Sequence, residues 1–188
     1  MREAVVRPDL GFLGWLKARE RKILVLTVVA QLAILLGMIA LRAAPLVTGQ
    51  TVLVRVQPVD PRDLFRGDYV ILSYDFSRTS PDSIKGLPAN ERGSWKKLEG
   101  RPLYVMLIPD SNGVHHRAEM VTVVKPPHGV FLKGRMERYG SLKFGIESYF
   151  VQEGTGREYE QAIRDRKLSA ELAVSSSGQA ALRRLHIE

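Results

Sequence analysis

Nineteen consecutive residues, Ile23 to Leu41 (ILVLTVVAQLAILLGMIAL), carry no charge, and that run constrains the fold more than any other feature of the chain. At about 1.5 Å rise per residue, a helix of this length matches a hydrocarbon core about 30 Å thick. A buried core helix or a cleaved signal peptide meets the same count. Signal h-regions, however, run about 7–15 residues and end in a small-x-small site, whereas Leu41-Arg42-Ala43-Ala44-Pro45 follows here. The expectation is an uncleaved transmembrane helix over residues 23–41.

Lys17, Arg19, Arg21 and Lys22 crowd the N-terminal flank, and only Arg42 sits just past the other end. The positive-inside rule then places residues 1–22 in the cytoplasm and residues 47–188 outside it. Ala30, Ala33, Gly37, Ala40 and Ala44 recur every three or four residues. They form a stripe of small side chains along which another helix can approach closely. Thr27 and Gln31 lie one turn apart on a different face. Small residues are also frequent in any spanning helix, so the stripe fits a plain anchor as well as a packed one.

The net charge of +8 is spread thinly: six Lys/Arg face three acids in residues 1–22, and 22 face 17 in the rest. Such a spread argues against nucleic acid as a partner. The absence of cysteine removes thiol catalysis, thiolate metal sites and disulfides. The reading assigns no cofactor and leaves a small-molecule ligand unknown.

From Val47 onward, short alternating apolar runs are separated by Gly, Pro and Asn, the pattern of an antiparallel β domain. Val52, Val54 and Val56 share one face of a first strand; Val70, Leu72 and Tyr74 share one face of a second. Residues 103–108 and 117–124 flank a PDSNG turn and predict a hairpin. Further strands are expected over 130–136 and 142–151. Residues 77–101, polar and rich in Gly and Pro, read as a long functional or mobile loop. Thr155-Gly156-Arg157-Glu158 has the form of a capping box and opens one short helix of about eleven residues. Residues 168–174 and 179–187 flank Ser175-Ser176-Ser177-Gly178 and suggest a closing hairpin, with ALRRL open to helix as well. The fold class is therefore mainly β (α+β): a spanning helix, then a small antiparallel domain that a barrel-like curl would close, with one short helix.

The densest motif is PVDPRDLFRGDYVILSY, Pro58 to Tyr74. Asp60 and Pro61 suit the start of a helical turn, where aspartate caps free N–H groups and proline lacks only an amide that would go unpaired. Gly67 permits a positive φ before the chain straightens, and Tyr69 and Ile71 then oppose Val70, Leu72 and Tyr74. Folding does not require Arg62, Asp63, Arg66 and Asp68 within seven positions. A salt-bridged corner worth about 0–1 kcal/mol per exposed pair explains them, and so does a docking surface. Arg66-Gly67-Asp68 also spells an adhesion tripeptide, which three letters produce by chance.

GDYVILSY, Gly67 to Tyr74, resembles the signature of the GDYXXLXY family, bacterial membrane-anchored proteins of unknown function. The preceding PVDPRDLFR resembles that family's lead-in, and FGIESYFVQEGTGREYE, Phe144 to Glu160, is similar to its second block. The resemblance implies a protein encoded beside, or fused to, a multi-spanning membrane protein. It carries no catalytic residue to this chain.

An enzyme needs parts that the sequence supplies only weakly. Membrane-anchored peptidases of the signal-peptidase type use a Ser/Lys pair, and the serine expected just past the anchor is missing; Ser73 with Lys125 is the remaining pairing. His115, His116 and His128 are candidate metal ligands, but adjacent residues on a strand face opposite ways, and a solvated hairpin edge explains the first two. Glu147, Glu153 and Glu158 follow no acid/base spacing. The sequence favours a non-catalytic binding or accessory subunit of a multi-spanning membrane protein, single-pass in the inner membrane with its domain in the periplasm or otherwise extracytoplasmic. A membrane-anchored envelope hydrolase is the alternative.

Overall fold

The structure is a computed structural model and describes residues 19–58, 69–88, 91 and 93–188. It separates into two units, Met1–Arg42 and Ala43–Glu188. Helix α1 (Glu20–Thr48) is 29 residues long, extending past both ends of the uncharged run because Glu20 to Lys22 and Arg42 to Ala44 are good helix formers. It is long and apolar enough to cross a membrane, and its large apolar residues from Leu24 to Leu41 are exposed. Thr48 Oγ1 donates to Ala44 O at 3.0 Å, and the Gly49 amide to Pro45 O at 2.8 Å, closing the last turn.

After α1 come β1 (Gln50–Arg55), β2 (Tyr69–Ile71), β3 (Ile84–Lys85), the single turn α2 (Trp95–Leu98), β4 (Pro102–Pro109), β5 (His115–Thr122), β6 (Val130–Met136), β7 (Leu142–Lys143), β8 (Ser148–Phe150), α3 (Gly156–Arg164), β9 (Leu168–Val174) and β10 (Ala180–Ile187). Seven strands run in the order β10-β9-β1-β5-β4-β6-β7, with β3 also on β5, and β2 and β8 form a separate ribbon. The main sheet curls into a half-barrel. Register shifts between Met106 and Leu107 and between Leu182 and Arg184 supply the extra twist that such a curl needs.

The alternation read from sequence holds: Val52, Val54 and Val56 are buried, as are Leu103, Val105 and Leu107 and the set Val70, Leu72 and Tyr74. Gly134 on β6 is where the Phe144 ring lies, since a Cβ there would sit 2.6 Å from Phe144 Cε1. Residues 156–187 form helix α3 and the β9–β10 hairpin, and ALRRL is strand.

The sheet is mainly antiparallel, as expected, with two short parallel pairings, β1–β5 and β3–β5. Three expectations need correction. Residues 142–151 make two strands, β7 on the main sheet and β8 on the ribbon, the chain turning at Gly145 (φ 81°). The described residues of 77–101 do not form an open loop, for Pro81, Ile84, Leu87 and Leu98 are all buried there. The capping box does not form: Thr155 is in the helical region (φ −92°, ψ −9°) and its hydroxyl donates backwards to Gln152 O at 2.7 Å. Without an extended residue at that position, the side chain cannot reach the free amides of the first turn.

Candidate functional site

The two blocks singled out in the sequence are one physical unit. β2 and β8 pair through Tyr69–Phe150, Val70–Tyr149 and Ile71–Ser148, and the Leu72 amide continues the contact by donating to Glu147 O at 2.8 Å. Tyr74, 3% exposed, gives its hydroxyl hydrogen to Ile146 O at 2.8 Å. Its ring stacks on Phe76 at 5.0 Å, and Phe76 meets Phe144 edge-on at 5.3 Å. Burial, and then the charge of Glu147, push the Tyr74 hydroxyl well above its ordinary pKa. Glu147 itself accepts the Phe144 amide at 2.5 Å and the Gly145 amide at 3.0 Å, so its carboxylate holds the turn into β8. Leu72 and Tyr74 are both buried against the second block.

Asp60, Pro61, Arg62, Asp63, Arg66, Gly67 and Asp68 lie outside the described residues, as does the Tyr69 side chain. The structure fixes both ends of that segment. Val56 N–H donates to Leu168 O at 2.9 Å and Gln57 N–H to Ser73 O at 2.7 Å, so the chain leaves beside the strand to which it returns. On the ribbon's outer face Ile71 is half-buried and Phe150 is 82% exposed. Phe150 pairs with Tyr69, where the charged segment rejoins the sheet. Sequence reading missed it because one continuous strand over 142–151 would not have singled out its position.

Along α1, Ala30, Ala33, Gly37 and Ala40 are all exposed, and a Cβ added at Gly37 meets nothing within 4 Å. The stripe is thus present on the helix and uncovered by α1 itself.

The proposed chemistry falls apart or changes character. Lys125 Nζ lies 5.7 Å from the centroid of the Phe131 ring, while Ser73 is held in its bridge to Gln57; no hydrogen bond joins the two among the described residues. His115 and His116 face opposite ways, but β5 lies between β1 and β4 and is not an edge, and His115 is only 5% exposed. His128 is exposed in the turn after β5, Glu153 lies in the turn before α3 and Glu158 in its first turn.

His115 instead belongs to a cluster that the sequence did not reveal. Its partners are 3 and 54 residues away, and only the fold joins them. Asn112 Oδ1 accepts the Val114 and His115 amides at 2.9 and 3.0 Å, which turns its NH2 toward His115 Nδ1 at 2.7 Å. Nδ1 must then accept, leaving the imidazole proton on Nε2. Nε2 lies 2.8 Å from Ser169 Oγ and 2.9 Å from Glu188 Oε1, and Ser169 donates to Glu188 Oε1 at 2.7 Å. The Ser169 bond holds the Glu188 carboxyl below the usual range, against an opposite effect of burial. A serine nucleophile needs the Nε2 lone pair aimed at its hydroxyl. Here Nε2 donates, the serine proton goes to a carboxylate, and Ser169 is 1% exposed. The cluster pins the end of β10 to β9 and β5.

A model of the GDYXXLXY protein family matches residues 31–185. The chain belongs to the GDYXXLXY family. The matched region begins inside α1 and ends in β10, so it takes in the ribbon and both sequence blocks. In this GDYXXLXY domain, the signature's leucine and final tyrosine are buried against the second block, and its charged lead-in runs between two fixed strand ends. No curated protein and no solved structure matches the chain.

Proposed function

We propose that the chain is a single-pass protein of the bacterial inner membrane, N-terminus in the cytoplasm and β domain outside, which acts as a non-catalytic accessory subunit of a multi-spanning membrane protein. The observation that carries the reading is α1, whose large apolar residues are exposed from Leu24 to Leu41 and need lipid or another helix to cover them. The basic residues before Ile23 support the orientation. Phe150, exposed and paired with Tyr69 just after Asp68, supports a binding role. Ser73 and Lys125, the pair that a signal-peptidase-type hydrolase would use, each have other partners, and Ser169 lacks a base aimed at its hydroxyl.

The test is cross-linking in intact membranes with identification of captured proteins, together with a reporter that works only outside the cytoplasm, fused after Glu188. The expected catch is the multi-spanning protein encoded beside this one, and the reporter should be active. Gly37→Leu meets no internal obstruction and should lower capture several-fold through the membrane part. Arg66→Glu should lower it through the domain, because like charges at an interface cost several kcal/mol. Wild-type capture by both variants, or an inactive reporter, removes the proposal.

A further inference from the structure

β6 and β7 are joined by a turn in which Tyr139 (φ 56°, ψ 31°) and Gly140 (φ 77°) both have positive φ, closed by the Ser141 amide on Arg138 O at 3.3 Å. Hairpin turns of this hand favour Asn, Asp or Gly at the first of these positions, and a bulky residue there is strained. Tyr139 gains nothing from the core in return, being 87% exposed. Strain maintained under an exposed aromatic ring calls for a role beyond folding.

The ring opens onto a cavity of about 320 Å³ lined by Trp95, Lys96, Glu99, Arg138 and Tyr139. Both walls are fixed. Gly140 lies flat against the indole, since a Cβ there would fall 2.2 Å from Trp95 Cη2, and its carbonyl accepts the Thr79 amide at 3.0 Å. The Gly100 amide ties the end of α2 to Met136 O at 2.8 Å, and Leu98 is fully buried beneath it. At the rim, the Arg138 guanidinium meets Glu99 at 3.4 Å, with side chains 81% and 48% exposed, so the pair is open to exchange for a ligand's hydrogen bonds.

We propose that this groove binds a saccharide chain. Two aromatic side chains offer apolar area to the C–H face of a pyranose ring. The neighbouring carboxylate and guanidinium offer an acceptor and donors side by side, which suits vicinal hydroxyls that each donate and accept. Lys96 and Arg138 against Glu99 leave one net positive charge, too little to select a polyanion. The walls are held by backbone hydrogen bonds of the fold itself, so ordering the site costs little on binding. The site is separate from the ribbon and does not depend on the orientation of the chain or on its membrane partner.

The test uses the full chain in lauryldimethylamine oxide micelles, which contain no sugar. Trp15→Phe leaves Trp95 as the sole indole, because the chain has two tryptophans. Titration with chitotetraose or cellotetraose should shift Trp95 emission saturably in the millimolar range, and saturation-transfer NMR should show the sugar's ring protons in contact. Tyr139→Gly relieves the turn, so its melting temperature should equal or exceed wild type while its affinity falls at least tenfold. Glu99→Ala should weaken binding with the melt unchanged. Absence of a saturable response to both sugars by both methods overturns the proposal. So does a Tyr139→Gly protein that binds as wild type, or one that melts lower, which would make the tyrosine structural.

Discussion

Tyr74 lies 3% exposed in the signature ribbon with its hydroxyl on Ile146 O, while Tyr139 is 87% exposed on a turn whose backbone it fits poorly. At the first site the surroundings suit an aromatic with a hydroxyl: Phe76 stacks on the ring, Phe144 packs edge-on against Phe76, and Ile146 accepts the proton. At the second, backbone geometry alone would choose asparagine or glycine. The difference separates residues that the fold demands from residues that it tolerates. It places the signature's final tyrosine in the packed interior, and leaves Phe150 and Tyr139 as aromatic rings on the surface.

The sharpest way to break that comparison is Tyr74→Ala. Removing a buried aromatic costs about 3–5 kcal/mol through lost burial and the cavity left behind, whereas Tyr139→Ala should stay within about 0.5 kcal/mol. At about 2–4 °C per kcal/mol for a chain of this size, near-ultraviolet circular dichroism melts of the full chain in detergent resolve the two. Equal melting temperatures would mean that the ribbon is not part of the core.

A smaller effect comes from the hydroxyl alone. Tyr74→Phe leaves the Ile146 carbonyl without its donor, which costs about 1–3 kcal/mol. The sign of its pH dependence follows from the raised pKa. Above about pH 10 tyrosine ionises in the unfolded chain but not in the fold, so Tyr74 contributes fully below that pH and loses its contribution as pH rises, by about 1.4 kcal/mol per unit. The gap between wild type and Tyr74→Phe, from denaturant melts at pH 8 and pH 11, should therefore narrow at the higher pH. A constant gap would show that the hydroxyl is not buried as described.

The ribbon's inward face was legible in the sequence because period-two alternation at Val70, Leu72 and Tyr74 is a direct record of burial. The hairpin around Ser111 to Gly113 and the helix ending near Arg164 were legible for similar local reasons. What escaped was non-local or context-bound. His115 met Ser169 and Glu188 only through strand order. Residues 142–151 divided between two sheets at a glycine that reads like any other loop glycine. Tyr139 gave no warning, since a Tyr-Gly pair is not a turn signal and its strain appears only in the backbone angles.

The smallest predicted effect sharpens the comparison from the backbone side. Arg166 is the other non-glycine residue at positive φ among those described (φ 57°). It follows α3 where the Arg166 amide reaches Ile163 O at 3.0 Å and the Lys167 amide reaches Ala162 O at 2.8 Å, the paired bonds of a Schellman motif that usually takes glycine. Replacing it by glycine relieves about 1–2 kcal/mol of left-handed strain and adds about 0.5–1 kcal/mol of unfolded-state entropy, a net gain of about 0.5 kcal/mol. Tyr139→Gly undergoes the same exchange at the other site. If both variants gain alike, the fold responds only to the backbone at residue 139, and whatever the tyrosine ring does is done for a ligand. If Arg166→Gly gains and Tyr139→Gly loses, the ring carries packing energy despite its exposure, and the distinction between the two tyrosines fails.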